Sequence, residues 1–222
     1  MRSQWLLVGA CASVLFGAVT RAEVIHDNGE PILETSYPYS DLSFGSIYAD
    51  DFQLPQGENI IRDVHWYGGY NGQTPDTSEF ELRIYTHEGD RPAMDDYQVL
   101  SVVAGPVSVE QPGTSPARPL YRYSVAVDPF EATPGTQYWL SIIETSPDSA
   151  WLWARSDGGN DISAWRPIEQ GEPWRLVSGP EADVAISLTD DGVIVPEPSS
   201  LALVAAIGLL VVAARAGTDR LM

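Results

Sequence analysis

Short runs of alternating hydrophobic and polar residues fill the middle of the chain. Phe80, Leu82 and Ile84 alternate with Glu81 and Arg83, for example. A period of two sends successive side chains to opposite faces of a strand, so each run predicts a β-strand with one buried face and one wet face. The same alternation recurs at 121–127, 138–142 and 184–188, and further strands are predicted at 47–54, 60–70, 97–109, 150–156 and 173–177.

Turn-forming residues separate the predicted strands, as in Pro55-Gln56-Gly57 and Thr133-Pro134-Gly135. Outside the two ends of the chain, no stretch with a helical period is longer than two turns, and no repeat of about 20–50 residues occurs. Many short strands joined by glycine- and proline-containing turns are typical of all-β domains. We therefore expect an antiparallel, jelly-roll-like β-sandwich of roughly eight to ten strands.

Both ends of the chain are hydrophobic and differ from this pattern. Residues 1–22 have the features of a secretory signal peptide: Arg2, then an uncharged stretch, then a cut between Ala22 and Glu23. An uncleaved N-terminal anchor is the alternative, although about fifteen apolar residues are short for a membrane span of about 20. The single cysteine, Cys11, lies in this segment, so the cleaved chain contains no disulfide.

The C-terminal end has a more specific order of features. The motif Pro196-Glu197-Pro198 precedes the apolar run 201–214, and Arg215 and Arg220 follow that run. A helix of fourteen residues is about 21 Å long, shorter than the hydrocarbon core of about 30 Å. The run therefore predicts a short membrane-associated helix with its arginines on the cytoplasmic side.

This order of motif, apolar helix and basic residues resembles the PEP-CTERM sorting signal of Gram-negative envelope proteins. The resemblance implies recognition and removal of the tail by an exosortase-type processing enzyme, and delivery to the cell surface or the extracellular polysaccharide. Together with the patterns above, it predicts a signal peptide at 1–22, a β-sandwich domain at 23–189, a linker with the PEP motif at 190–200 and a hydrophobic sorting helix with a basic tail at 201–222. Whether the helix is cleaved or retained stays open.

A second resemblance covers most of the middle of the chain. The segments 49–52, 64–70, 80–85 and 134–142 are similar to an uncharacterised domain found in planctomycete-type PEP-CTERM proteins. The resemblance implies a β-sandwich exposed outside the cell. It implies no catalytic residue, because no activity is established for that domain.

The charge of the chain argues against nucleic-acid binding. The formal net charge is −19, and all twelve basic residues are arginines. Residues 23–195 contain 29 acidic residues and 8 arginines, which gives a formal charge of about −21. Nucleic-acid binding needs a basic surface that displaces counterions, so nucleic acid is not an expected partner. The acidic surface favours a soluble protein outside the cell.

Aromatic residues are the first candidates for ligand binding, because the apolar face of a sugar stacks on an aromatic ring. Trp151 and Trp153 are two residues apart, so their side chains lie on the same face of a predicted strand. That face is either the core or a binding surface, and the sequence leaves both open. Trp66, Tyr67 and Tyr70 are further candidates with the same two alternatives.

The acidic loop Asp157-Gly158-Gly159-Asn160-Asp161 is a candidate calcium site. It offers the oxygen atoms of Asp157, Asn160 and Asp161, and Ca²⁺ takes six to eight oxygen ligands. The alternative is an ordinary turn, since the spacing does not match an EF-hand. Other acidic pairs such as Asp50-Asp51 could add ligands, although neighbours in a strand point to opposite faces.

No spacing in the chain singles out a catalytic constellation. There is no Gly-x-Ser-x-Gly elbow, and the three histidines do not have the spacing of a zinc pair. We therefore expect a non-catalytic, carbohydrate-binding or structural module at the cell surface or in the extracellular matrix. The alternative is a hydrolase that acts on polysaccharide with a pair of carboxylates, for which Glu144 is the first residue to examine.

Overall fold

The computed structural model describes most of the central part of the chain. The described residues are 23–32, 37–57, 59–72, 78–104, 107–108, 119–147, 150–168, 171–180 and 182–190. Ala22, the Pro196-Glu197-Pro198 motif and the apolar run 201–214 lie outside them. Within the described ranges, no helix is long and apolar enough to cross a membrane.

The described residues form twelve β-strands and no helix. The strands are β1 (Val24–Asp27), β2 (Ser46–Gln53), β3 (Ile60–Tyr70), β4 (Ser78–Glu88), β5 (Arg91–Ala104), β6 (Val107–Ser108), β7 (Tyr121–Glu131), β8 (Gln137–Glu144), β9 (Trp151–Trp153), β10 (Ile162–Pro167), β11 (Arg175–Ser178) and β12 (Ile186–Thr189).

These strands form two antiparallel sheets. The first sheet has the order β1-β12-β3-β7-β6, and β9 pairs with the end of β3. The second sheet has the order β11-β10-β2-β8-β4-β5. The all-β, antiparallel prediction is therefore confirmed. The start of β1 and the end of β12 lie side by side, because Val24 pairs with Thr189.

Most predicted strands are present, with three differences. Two short strands, β1 and β10, were not predicted, and both have only four to six residues. The predicted strand at 97–109 is divided between β5 in the second sheet and β6 in the first sheet.

The main core lies between the two sheets in a sandwich-like arrangement. Trp66 of β3 stacks on Tyr123 of β7 at a centroid distance of 5.2 Å. Both rings meet the edge of Phe80 from β4 in the other sheet, at 5.2 and 5.1 Å. Edge-to-face and offset contacts at these distances are the favoured geometry of aromatic pairs. This aromatic cluster joins the facing sides of the sheets.

The second sheet also has an apolar outer face, which corrects the expectation of one wet face for β8. Trp139 and Ile143 of β8 point away from the main core and are buried, as is Ala49 of β2. Trp174, from the segment before β11, and Met94 of β5 pack against this cluster. These two strands are buried on both faces because a neighbouring segment covers them.

Candidate functional site

The aromatic residues proposed as a binding platform lie in the core. Trp66, Tyr70, Trp151 and Trp153 are each at most 1% exposed. Trp151 contacts the edge of Phe80 at 5.2 Å and lies 6.2 Å from Trp153. This corrects the platform hypothesis for these four residues, since a sugar cannot stack on a ring that other side chains enclose. Trp151 and Trp153 therefore face the core and not a binding surface.

Tyr67 is only partly buried and packs against a small cluster that contains Leu120, Ala154 and Ala185.

Gly68, the residue after Tyr67, has a packing function. A β-carbon at Gly68 would lie 2.4 Å from the indole of Trp151, far inside van der Waals contact. Gly68 therefore lets β9 lie against β3 with Trp151 packed over the backbone.

The acidic loop connects β9 of the first sheet to β10 of the second sheet. Its Asn160 amide donates to the Asp51 carboxylate at 2.9 Å, and the Asn160 carbonyl oxygen accepts from the backbone N–H of Ile162. The backbone N–H of Asp161 donates to the Asp183 carboxylate at 2.7 Å. Asp157 is exposed to solvent. The loop thus uses its polar groups to bind distant segments of the same chain.

A glycine is required where this loop approaches Asp183. Gly159 has a φ of +90°, and a β-carbon there would lie 2.6 Å from the Asp183 carboxylate. Only glycine combines that backbone conformation with so close an approach. The Gly-Gly pair in the loop is therefore explained by packing.

Asp50 is the centre of the hydrogen-bond network on the inner face of β2. It is fully buried, and its Oδ2 accepts from the Asn28 amide at 3.0 Å and from the Val184 N–H at 2.7 Å. Its Oδ1 accepts from the N–H of Asp51. Asn28 follows β1 and Val184 precedes β12, both of the first sheet. Asp50 therefore joins the two sheets. We call Asn28, Asp50, Asp51, Asn160 and Asp183 the inter-sheet polar cluster.

Burial and like charges raise the pKa values of the three carboxyl groups in this cluster. The pKa of Asp50 lies well above its ordinary value, first because of burial and then because of the nearby Asp183 carboxylate. Burial also raises the pKa values of Asp51 and Asp183, although hydrogen bonds from neighbouring groups oppose the rise. Such shifts are typical of buried carboxyl groups that lack a basic partner.

The inter-sheet polar cluster has the geometry of a structural network. In the described part of the chain, no three histidine, cysteine or acidic side chains converge as metal ligands. Asp51 and Asp50 point to opposite faces of β2, as the strand period requires. The two carboxylates therefore do not point at one common ion. Sequence reasoning did not identify Asn28 and Asp183. Their only signals are the Asp27-Asn28-Gly29 turn and an aspartate just before a strand.

A second buried polar group lies near the end of the main core. The hydroxyl of Tyr70 shares a short hydrogen bond with Ser78, and burial raises the pKa of Tyr70 to about 12. Glu144 is fully buried on the same side and accepts from the backbone N–H of Ser146. Burial also raises the pKa of Tyr123. These groups are enclosed, so a polysaccharide cannot reach Glu144 in this conformation.

A partly exposed aromatic pair lies at the opposite end of the sheets from the acidic loop. Tyr39 and Phe44 stack at 4.4 Å with an angle of 2° between the rings, and Phe44 is 50% exposed. Leu42, in the same turn, is 39% exposed. Ile168 is joined to this turn by its backbone bond to Gly45, and the Asn71 amide donates to the Tyr39 hydroxyl. We call Tyr39, Leu42, Phe44, Asn71 and Ile168 the Phe44 patch.

The turn that carries Phe44 is fixed by a buried aspartate. Asp41 accepts from the N–H groups of Ser43 and Phe44 through Oδ1, at 2.7 and 3.3 Å, and from the N–H of Trp151 through Oδ2. Gly45 ends the turn with a φ of +66°. An aspartate that binds the backbone two residues ahead is the usual way to hold such a turn.

Comparison with known proteins adds no function. No protein-family model matches the chain, and no curated protein is significantly similar to it.

Proposed function

We propose that the chain is an exported, non-catalytic module that is sorted through a PEP-CTERM tail to the cell surface or the extracellular matrix. The observation that carries this proposal is the order of features at the C-terminus. Pro196-Glu197-Pro198, a short apolar run and two arginines follow an acidic, lysine-free body. The host is then a bacterium with a Gram-negative-type envelope, and its exosortase-type enzyme is the processing partner.

The arrangement of the strands is compatible with this role. Val24 and Thr189 are paired neighbours, so the residues that lead to the two hydrophobic ends leave the body from one side. A body attached in this way has its other side free for contact with the matrix. A jelly-roll-like topology, with a signal helix and a sorting helix flanking the sheets, belongs to the same proposal.

Within the matrix, we propose that the module is structural or binds carbohydrate. In the inter-sheet polar cluster, Asp50 joins the sheets through Asn28 and Val184, and Asp51 and Asp183 hold the acidic loop, which supports a rigid scaffold. Among the described residues, Phe44 and Tyr97 are exposed aromatic side chains, and Phe44 stacks on a second ring, that of Tyr39.

The hydrolase alternative has less support. Asp50 lies close to Asp183 and has a strongly raised pKa, which is one signature of a catalytic acid. However, Asp50 is fully buried and accepts three hydrogen bonds from its own chain. A catalytic acid must reach the glycosidic oxygen of its substrate, and this one is enclosed by the two sheets.

The experiment that tests the proposal is expression in a host with an exosortase, followed by fractionation and intact-mass measurement. We expect the natural chain at the surface or in the matrix, without residues 1–22 and without the tail. Replacing Pro196, Glu197 and Pro198 by alanine should leave the uncleaved chain in the membrane fraction. Ser199→Ala is the matched control and should be processed normally. Recovery of the whole chain from the cytosol, with both ends intact, would contradict the proposal.

A further inference from the structure

We propose that the Phe44 patch binds one sugar ring of a neutral polysaccharide, by stacking of the apolar face of the ring on Phe44. This inference rests on the proposed function, because it names the ligand class and the site for a module of the matrix. Stacking on an exposed aromatic ring, with a neighbouring amide and hydroxyl for the sugar hydroxyls, is the chemistry that sugar recognition requires.

The patch presents its ring in a fixed orientation. One face of Phe44 is covered by Tyr39, at an angle of 2°, and half of the side chain remains open to solvent. The turn below it is held by the buried Asp41. A ring that is already ordered loses little conformational entropy when a ligand binds, so even a small contact contributes to affinity.

The size of the patch favours a sugar over a protein partner. Phe44, Leu42 and Ile168 are 50%, 39% and 36% exposed. Together they present an apolar surface on the order of 300 Å², since a whole aromatic side chain buries about 150–250 Å². A stable protein–protein interface takes about 800 Å² from each partner. The patch is too small for that and matches a single sugar ring.

The charges favour a neutral sugar. All five residues of the Phe44 patch are uncharged, whereas the body around them carries about −21. A polyanionic chain would be repelled by that field before it reached the patch. The Asn71 amide and the Tyr39 hydroxyl offer a hydrogen-bonding edge beside the ring, which suits the hydroxyls of a neutral sugar.

The patch also lies at the accessible end of the molecule. It adjoins the start of β2 at Ser46, whereas Phe52, near the other end of β2, contacts His26 of β1. Six residues of strand separate these points by about 20 Å. The chain enters β1 at that far end, so the Phe44 patch lies at the end of the sheets opposite to the residues that lead to the two hydrophobic ends.

The test is calorimetric titration of the full chain, purified in mild detergent, with cellohexaose, xylohexaose, mannohexaose and hexagalacturonate. We expect binding of at least one neutral hexasaccharide and no binding of the acidic one. Phe44→Ala should weaken the neutral complex by about tenfold, the effect of one aromatic contact. Tyr97→Ala is the matched control, because Tyr97 is 39% exposed but lies on β5, outside the patch. It should change the affinity less than about twofold.

Three outcomes would overturn this inference: no binding of any neutral hexasaccharide, unchanged binding by the Phe44→Ala variant, or equal losses in both variants. Urea denaturation of each variant establishes that both are folded. A failure here leaves the export proposal standing, because that proposal is judged by location and tail processing.

Discussion

The side-chain amide of Asn28 donates a hydrogen bond to the carboxylate of Asp50 at 3.0 Å, and this bond crosses from one sheet to the other. Both residues are almost completely buried. Asn28 also donates to the carbonyl oxygen of Val184, so one amide holds two segments around the Asp50 carboxylate. The sheets are therefore joined by a specific polar contact in addition to the aromatic core.

Removal of this amide should destabilise the fold. In the Asn28→Ala variant, the buried Asp50 carboxylate loses one donor and the Val184 carbonyl loses a partner. We expect the free energy of unfolding to fall by about 2 kcal/mol, the usual cost of unsatisfied buried polar groups. Urea denaturation followed by tryptophan fluorescence measures this loss. Asn59→Ala is the control, since Asn59 makes an exposed bond to Glu131 and should cost little. Equal losses would show that Asn28 has no special function.

The three carboxyl groups of the inter-sheet polar cluster should make a contribution to stability that falls as the pH rises above about 4, the ordinary pKa of an aspartate. The pKa values of Asp50, Asp51 and Asp183 are all raised. A carboxyl group with a raised pKa binds its proton more tightly in the folded chain than in the unfolded chain. Through these three groups the folded state therefore holds more protons between the unfolded and folded pKa values, and their contribution to the free energy of unfolding decreases with pH in that window.

The Asp183→Asn variant isolates the contribution of the inter-sheet polar cluster to this dependence. The asparagine carbonyl can still accept the hydrogen bond from the Asp161 N–H, but the charge beside Asp50 is removed. We expect the free energy of unfolding of this variant to decrease less with pH. At pH 8 it should be higher than that of the natural chain by on the order of 1 kcal/mol. The measurement is the urea midpoint at several pH values. An unchanged pH slope would contradict this explanation.

Local patterns in the sequence were sufficient to predict most strands and the fold class. The Phe80–Ile84 alternation lies within β4, and the predicted strand at 60–70 coincides with β3. Alternation was not sufficient to predict which faces are covered. Tyr138, Leu140 and Ile142 mark one buried face of β8, but Trp139 on the other face is also buried, in a cluster that includes Trp174, about 35 residues later. Such cover depends on the tertiary fold.

The contacts of the candidate site residues also depend on the tertiary fold and were not predictable from local patterns. Trp151 and Trp153 share a face, as their spacing required, and the sequence could not assign that face to the core or the surface. The Asn160 amide binds Asp51, more than 100 residues away, and no local signal indicates that pairing. Phe44 was not singled out, because an isolated phenylalanine in a turn has no pattern that distinguishes it from a core residue.

A substitution at Gly68 should be severely destabilising. A methyl group there would meet the Trp151 indole at 2.4 Å and the Leu152 carbonyl oxygen at 2.7 Å. Overpacking of this kind in a closed core costs typically about 3 kcal/mol. Urea denaturation of Gly68→Ala measures the loss. Gly57→Ala is the control for backbone strain alone, because Gly57 has a φ of +97° and nothing lies within 4 Å of its would-be β-carbon. The Gly57→Ala substitution should lower the free energy of unfolding by about 1 kcal/mol.

Calcium should not stabilise the chain specifically, although the loop at 157–161 contains several oxygen ligands. The Asn160 carbonyl oxygen already accepts from the Ile162 N–H, and the Asn160 amide is bound to Asp51. A calcium ion would have to replace these bonds before it gained its six to eight ligands. We therefore expect the same melting temperature in calcium chloride as in sodium chloride of equal ionic strength. A true site at a hundred times its Kd would add about 2.7 kcal/mol, a rise of several degrees. Such a rise in the natural chain, lost in the Asn160→Ala variant, would restore the metal-site hypothesis.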